Sequence, residues 1–244
     1  MEVSLSTEQI DSQIKVAAPL VGYSSEKRYA TRANFLFHGI NLSGAKVLEV
    51  GCGSGAWVIW AAINGAEQAV GLEPESDGST PQTLTALRKT VDILGLTEKV
   101  LAFDYFLHQI PMEENHFDVI ILFDVINHMN ENAVIDLHHN KNSFKQFLDI
   151  AQDLRRRMKP GGWIIVADCG RTNFWNQVGL SSPLGKGIEW NKHQDPPKWI
   201  DVFSTAGFRL VDFRWSPLQP LTRITANWLV QYLTASHFVL RFQA

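Results

Sequence analysis

The sequence predicts an α/β protein with a doubly wound, mostly parallel sheet of seven strands. Short runs rich in Val, Ile and Leu alternate with longer segments that repeat apolar residues at helical spacing. Such alternation is typical of parallel strands joined by helices that cover both faces of the sheet. The 244 residues, 45% of them hydrophobic, are also sufficient to form one sizeable core.

The elements of this fold can be assigned in chain order. The predicted strands are Lys46–Val50, Gln68–Leu72, Val100–Phe103, Phe117–Phe123, Trp163–Ala167, Phe208–Phe213 and His237–Phe242, the last of them antiparallel. The predicted helices are Ala56–Asn64, Thr80–Leu94, Asn142–Met158, Pro197–Thr205 and a stretch around Ile224–Leu233, with Asp77, Ser79 and Thr80 as N-cap candidates for the second. We expect right-handed crossovers between the parallel strands.

Charge and hydropathy restrict the possible partners. A formal charge of −3 provides no general attraction to a phosphate backbone, so nucleic acid is not an expected partner. The N-terminus lacks a basic segment followed by an apolar run, and apolar runs such as Val119–Phe123 are too short to cross a bilayer. Together with only two cysteines, Cys52 and Cys169, these features predict a cytoplasmic protein without a membrane partner.

The strongest local motif is Lys46-Val47-Leu48-Glu49-Val50-Gly51-Cys52-Gly53-Ser54-Gly55, in which a predicted strand runs into a glycine-rich turn and a helix. Glycines allow positive φ and close approach of a ligand, and the N–H groups of the following helix N-terminus are available. With Ala56, the motif also satisfies a looser dinucleotide-binding pattern. That pattern has an acidic residue for the ribose hydroxyls further along the chain, and Glu73 stands at about the expected spacing from the glycines.

The order of the motifs after this turn favours one family. Glu73 ends the second strand, Asp104 follows the third, Phe117–Asp124 includes the fourth, and Lys159–Gly162 forms a turn into the fifth. In this order the sequence resembles the class I S-adenosylmethionine-dependent methyltransferases from about Val47 to Ala167, and only in outline elsewhere. The resemblance implies S-adenosylmethionine as the cofactor, S-adenosylhomocysteine as its product, and a Rossmann-like sheet.

The resemblance also implies roles for individual residues. Glu49 would approach the methionine amino group, Glu73 would accept hydrogen bonds from both ribose hydroxyls, and Asp104 would accept one from the adenine amine. Asp124 would face the methionine end and the substrate. The remaining candidates would contact the cofactor through their backbone, form an apolar wall beside the adenine ring, or, for one arginine, meet the carboxylate of the cofactor. They are Gly51, Cys52, Gly53, Gly55, Pro74, Phe103, Tyr105 and Arg28.

Each candidate also has a purely structural interpretation. Glu73 and Asp104 could be helix caps, and Asp124 could be a carboxylate satisfied at a strand end. The run Arg155–Lys159 fits the solvated last turn of a helix. Adjacent His138 and His139 point about 100° apart on a helix, so we interpret them as surface residues and predict no metal site.

We expect the methyl acceptor to be an oxygen of a small molecule, such as a sugar, glycan precursor or secondary metabolite. Removing a hydroxyl proton at neutral pH suits histidine. His128, four residues after Asp124, is the first candidate for the base, with a role in shaping the loop as its alternative. His193 is the second, with Glu189 as its expected partner.

The predicted organisation is a single domain of residues 1–244, acting as a monomer or homodimer. It comprises N-terminal capping helices in residues 1–40, a cofactor-binding core in 44–170, an acceptor lid in 171–197 and the last part of the sheet in 198–244. The lid is inferred from a Gly-, Pro- and Trp-rich stretch too long for an ordinary connection. Two alternatives remain: an inactive, cofactor-binding regulatory subunit, and a nicotinamide-dependent oxidoreductase.

Overall fold

The structure is a computed structural model that describes residues 6–75, 82–111, 114–183, 187–218 and 225–244. Its strands form one seven-stranded sheet in the order β3-β2-β1-β4-β5-β7-β6. The strands are β1 Lys46–Val50, β2 Gln68–Leu72, β3 Val100–Phe103, β4 Phe117–Phe123, β5 Met158–Cys169, β6 Arg209–Trp215 and β7 His237–Gln243. This order, with β7 antiparallel to both of its neighbours, confirms the predicted mostly parallel sheet.

Helices connect most of these strands. They are α1 Thr7–Leu20, α2 Glu26–Leu36, α3 Ala56–Ile63, α4 Thr83–Leu94, α5 Glu131–Asp136, α6 Lys141–Arg157, α7 Phe174–Gln177, α8 Pro196–Thr205 and α9 Trp228–Tyr232. The suggested N-caps Asp77, Ser79 and Thr80 lie outside the described residues. No helix in the described part of the chain has the length and apolar character that a membrane span requires.

The chain divides into two compact units, residues 1–121 and 122–244, and the division falls within β4. In the first unit, β1 and β2 pair in parallel from Lys46 with Gln68 to Val50 with Leu72, and β2 pairs with β3 in the same way. Helix α3 is buried along nearly its whole length. A helix that is apolar on all sides belongs in a core, which explains the absence of charged residues from α3.

In the second unit, β7 pairs antiparallel with β5 and β6. Helix α6 turns an apolar face inward that includes Phe147, whose ring meets Trp199 of α8 edge to face at 5.1 Å. Phe203 and Phe242 stack at 5.2 Å in the same core. The basic residues Arg155–Arg157 occupy the last turn of α6, as predicted, where cations complement the helix dipole.

The predicted start of strand five is wrong. Lys159–Gly162 was expected to form a turn before strand five, but it belongs to β5. The Gly161 N–H donates to the Ala244 carbonyl at 3.0 Å, and the Ala244 N–H donates to Gly162 at 2.9 Å. Pairing with the end of the chain, which has no local sequence signal, therefore keeps this Gly-Gly segment in the strand, although Gly161 has a φ of +77°.

Candidate functional site

The first unit brings three segments with predicted cofactor residues to one edge of its sheet. Because β1, β2 and β3 run parallel, the residues that follow them are neighbours. The Cys52 N–H donates to Leu72 at 2.9 Å, and the Glu73 N–H donates to Phe103 at 3.0 Å. The glycine turn, Glu73 and the Asp104 loop therefore lie together where open α/β sheets bind ligands.

The glycine turn after β1 uses left-handed backbone conformations. Gly51, Gly53 and Gly55 have φ of +67°, +49° and +82°. A Cβ on Gly55 would lie 2.2 Å from Cδ1 of the buried Leu87, so α3 and α4 pack closely there. A Cβ on Gly53 would meet no atom within 4 Å. The turn is thus tightly packed on one side and open at Gly53, as a surface that receives a ligand must be.

Glu73 is tied to this turn by a hydrogen bond. Its Oε2 accepts from the Gly53 N–H at 2.8 Å. Burial raises the pKa of Glu73, the Gly53 N–H opposes this shift, and the nearby Glu75 raises the pKa further. Glu75, rather than Glu73, accepts from the Leu84 N–H in the first turn of α4. The helix-cap alternative for Glu73 is therefore not what the structure shows.

Glu49 is more deeply buried, with 2% of its surface exposed, and its Oε2 accepts from the Val58 N–H of α3 at 3.0 Å. Burial raises its pKa well above the ordinary value, against the backbone N–H donors of Val58 and Trp57. Glu49 thus anchors the start of the helix that follows the turn. Tyr29 of α2 is fully buried and donates its hydroxyl to the Ala56 carbonyl at the same helix end.

The other predicted cofactor residues flank this edge. Asp104 Oδ1 accepts from the Glu75 N–H at 2.9 Å, so it holds the loop after β2 rather than capping a helix. Phe103 and Tyr105 stack on each other with ring centroids 5.3 Å apart. Arg28 is exposed on α2 and donates to Ser24. Pro74, which stands between Glu73 and Glu75 in the sequence, is partly buried. The Cys52 side chain is buried against Gly71, where an added Cβ would lie 2.7 Å from the Cys52 sulfur.

In the second unit, the buried Asp168 at the end of β5 holds His193. His193 Nδ1 lies 3.0 Å from Asp168 Oδ1. The side chain of Asp168 is 1% exposed and that of His193 is 12% exposed. Burial raises the pKa of Asp168, whereas the contact with His193 lowers it. Asp168 Oδ2 is buried and, among the described residues, without a hydrogen-bond partner.

This arrangement corrects the partner expected for His193. Glu189 pairs instead with Lys192 at 2.8 Å. Lys192 also contacts Glu131 at 3.0 Å, and Glu131 contacts His128 Nδ1 at 2.8 Å. His128 therefore belongs to an ion-pair network with about half of its side chain exposed. Asp168 could have been identified from the sequence only by its place at the end of an apolar strand, as Glu73 was.

Asp124, at the end of β4, has a left-handed φ of +52°. Its N–H donates to Ala167 of β5 at 2.8 Å, and its Oδ1 lies 2.9 Å from His237 Nε2. His237 Nδ1 lies 2.6 Å from the Ser216 hydroxyl. Sequence reasoning assigned His237 only to a strand, because a single histidine at a strand start carries no chemical signal.

The predicted lid and histidine pair can be located as well. In the described part of residues 171–197, Arg171 donates to the carbonyls of Ile135 and Asn191, and Trp190 is buried. Both His138 and His139 are exposed, as expected. No group of three potential ligands suited to a metal ion occurs within the described ranges.

Comparisons with known proteins assign the family. The sequence profile of a family described as "Methyltransferase domain" matches residues 23–212. A ubiquinone biosynthesis O-methyltransferase from Marinobacter nauticus is 23% identical over 205 residues, which cover 79% of this chain and 76% of the relative. A ribosomal protein L11 methyltransferase from Geobacter sp. is 29% identical over 136 residues, which are 56% of this chain but only 36% of that relative.

Structural similarity agrees with this assignment. The crystal structure of a SAM-dependent methyltransferase from Aquifex aeolicus matches with a TM-score of 0.58 and 16% identity, covering 96% of this chain and 97% of that one. The family profile spans more than half of the chain and includes the glycine turn, Glu73 and Asp104. The protein therefore belongs to the class I S-adenosylmethionine-dependent methyltransferases, and S-adenosylmethionine is its cofactor.

Proposed function

We propose that the protein methylates a hydroxyl group of a small molecule, with His193 as the general base. The observation that carries this proposal is the contact between His193 Nδ1 and the buried Asp168. Holding Nδ1–H against a carboxylate fixes the tautomer in which Nε2 accepts a proton. Among the described residues, the Asp168 contact is the one hydrogen bond of this imidazole, so no described residue bonds Nε2.

Cofactor binding is assigned to the first unit. Glu73 would accept from the ribose hydroxyls, Asp104 from the adenine amine, and the Gly51–Gly55 turn would lie against the methionine half. The open side of Gly53 and the half-buried Glu73 carboxylate fit such a ligand. The bound cofactor supplies a methyl group already activated by its positive sulfur. The protein must therefore position the acceptor and remove its proton.

The choice of an oxygen acceptor follows from this need for a base. The acceptor hydroxyl would give its proton to His193 Nε2 as its oxygen takes the methyl group and the methyl–sulfur bond breaks, with S-adenosylhomocysteine as the leaving group. The resulting imidazolium would lie beside the Asp168 carboxylate. Burial disfavours the charged form of Asp168, so a positively charged neighbour stabilises this carboxylate strongly. His128 is the weaker candidate because its partner Glu131 is exposed and is shared with Lys192.

Small-molecule specificity has indirect support. The net charge of −3 disfavours nucleic acid, and the relative covered over most of its length is described as acting in ubiquinone biosynthesis. The family assignment disfavours the oxidoreductase alternative. The inactive-subunit alternative does not require the His193–Asp168 pair.

The test is an assay of S-adenosylhomocysteine release from S-adenosylmethionine across a library of hydroxyl compounds. For a compound that is methylated, His193→Gln should lower kcat about 100- to 10,000-fold, the usual contribution of a general base. Asp168→Asn should also lower kcat, because an amide can donate to Nδ1 and favour the other tautomer. His139→Gln, which changes an exposed histidine paired with Asp136, serves as the control.

Binding measurements separate the outcomes. Each variant should bind S-adenosylhomocysteine as the unsubstituted protein does. Turnover by His193→Gln within threefold of the unsubstituted rate would show that the base assignment is wrong. Tight product binding without methylation of any library compound would instead favour the inactive subunit.

A further inference from the structure

His193, the proposed base, lies on a short segment between a turn and a helix. A three-residue 3₁₀ turn, Trp190–Lys192, precedes it, and α8 begins at Pro196. His193 itself has extended backbone, with φ of −114° and ψ of 164°. We call residues 190–195 the strap. Because His193 belongs to neither a helix nor a strand, the contacts of the strap must set the position of its imidazole.

The bond between His193 and Asp168 does not by itself explain where the imidazole lies. Asp168 Oδ1 accepts from the Cys169 N–H at 2.8 Å and also lies 3.0 Å from His193 Nδ1. The other oxygen, Oδ2, is buried and has no hydrogen-bond partner among the described residues. A buried acceptor without a partner is costly, so an imidazole that was free to move would bond Oδ2. Its contact with the oxygen already in use indicates that the strap is held from elsewhere.

Gln194 provides a buried anchor for the strap. It is 1% exposed, and its Nε2 donates to the Val134 carbonyl of α5. The Leu137 N–H reaches the same carbonyl only at 3.3 Å, longer than most such bonds. This carbonyl lies in the last turn of α5, where regular helical bonding ends and carbonyls need other donors. The side chain of Gln194 therefore ties the strap to the end of a helix.

The strap has two further attachments, which are more exposed. Lys192 pairs with the exposed Glu131 at 3.0 Å, and Asp195 accepts from the Thr172 N–H at 2.8 Å and from its hydroxyl at 2.6 Å. Water can replace part of such contacts, whereas the loss of one partner of a buried hydrogen bond leaves the other partner unsatisfied. Loss of the Gln194 contact should therefore move the strap most.

The extended backbone relates Gln194 to the imidazole. In extended backbone, neighbouring side chains point to opposite sides. His193 contacts Asp168 at the end of β5, and Gln194 contacts Val134 of α5. The strap is thus fixed between a strand and a helix, and a shift of Gln194 away from α5 moves the imidazole relative to Asp168.

We infer that Gln194 is a positioning residue for His193. By donating to Val134, its amide holds His193 Nδ1–H on Asp168 and so keeps Nε2 the nitrogen that accepts a proton. This inference rests on the proposed function, in which His193 is the base. Gln194 acts through His193, so its effect on turnover should vanish where the imidazole has already been removed.

The first test reads the tautomer and needs no acceptor. NMR of the ¹⁵N-labelled full chain distinguishes a protonated ring nitrogen from an unprotonated one, and His193→Gln identifies the His193 signals by their loss. At a pH where the imidazole is neutral, the unsubstituted protein should show Nδ1–H, and Gln194→Leu should show a mixture of both tautomers. Gln243→Leu is the matched control, because Gln243 bonds Arg209 at the end of β7; it should leave the His193 signals unchanged.

The second test uses any compound that is methylated. Misplacing a catalytic group by about 1 Å can cost roughly 100-fold in rate, so Gln194→Leu should lower kcat about 10- to 100-fold. KM and the Kd for S-adenosylhomocysteine should stay within about threefold. In the His193→Gln background, the same change should lower the residual kcat less than about twofold. A residue that only stabilises the fold would lower kcat by the same factor in both backgrounds.

The inference is overturned if Gln194→Leu keeps the Nδ1–H tautomer, or if the unsubstituted protein shows the other tautomer. A loss of kcat that persists at full size in the His193→Gln background overturns it as well. If Gln194→Leu does not fold, Gln194→Asn, whose amide is one methylene shorter, replaces it in both tests. The proposed function fails separately: if the tautomer responds to Gln194→Leu while His193→Gln leaves turnover unchanged, Gln194 positions His193 but another group is the base.

Discussion

Glu73→Ala should abolish tight cofactor binding. If Glu73 accepts from both ribose hydroxyls, its removal deletes two charge-assisted hydrogen bonds of about 1.5–3 kcal/mol each. The loss of at least about 3 kcal/mol corresponds to a Kd for S-adenosylhomocysteine raised more than 100-fold. The substitution also removes the acceptor of the Gly53 N–H, so the turn loses a contact that orders it before the ligand arrives. Both effects weaken binding.

Calorimetric titration with S-adenosylhomocysteine, with NAD titrated in parallel, measures this loss. Glu67→Ala is the matched control, because Glu67 precedes the other end of β2, is exposed and pairs with Lys46 at 3.7 Å. It should bind S-adenosylhomocysteine as the unsubstituted protein does. Binding by a folded Glu73→Ala variant within threefold of the control would refute the assignment of Glu73 to the ribose.

Two further predictions concern stability around the same turn. Burial raises the pKa of Glu49, so the folded state holds a proton that the unfolded chain has lost above about pH 4.5, and unfolding free energy falls as pH rises by up to about 1.4 kcal/mol per unit. Glu49→Gln, which keeps an acceptor for Val58, should flatten this slope in urea unfolding between pH 5 and 8; an unchanged slope would contradict the cause given. Gly55→Ala should cost about 2–4 kcal/mol from its positive φ and the clash with Leu87, lowering Tm by more than about 4 °C. The same change should cost less in a Leu87→Ala background, and equal costs would exclude the clash.

The fold was predictable where periodicity and turn chemistry agree. The first four strands have the predicted bounds because each is a short apolar run closed by glycine or acidic residues. The lengths of β5 and β6 depend instead on antiparallel pairing with β7, including the contact of Gly161 with Ala244. Pairing between segments so distant in sequence leaves no local signal, which explains the error at Lys159–Gly162.

The candidate site divides in the same way. The common position of Glu73 and Asp104 could be predicted because parallel strands place the residues that follow them at one edge, whatever their side chains contact. The hydrogen-bond partners of the site residues could not be predicted by the same reasoning. Glu189 is four residues from His193 and Asp168 is 25 away, yet the Asp168 contact is the one that forms. A helix would have favoured the nearer residue, but only a three-residue 3₁₀ turn precedes His193.

The contact between Asp124 and His237 bears on which part of the chain determines acceptor specificity. The family profile ends at residue 212 and includes the glycine turn, Glu73, Asp104, Asp124, Asp168 and His193. Ser216, Gln231 and His237 all lie beyond it, although they hold the orientation of Asp124 through 2.6–3.0 Å contacts. A residue within the family profile is thus oriented by residues outside it. If Asp124 contacts the acceptor, changes in the last 32 residues alter substrate preference without disturbing the cofactor residues of the first unit, and those last residues are where mutagenesis for a new acceptor should begin.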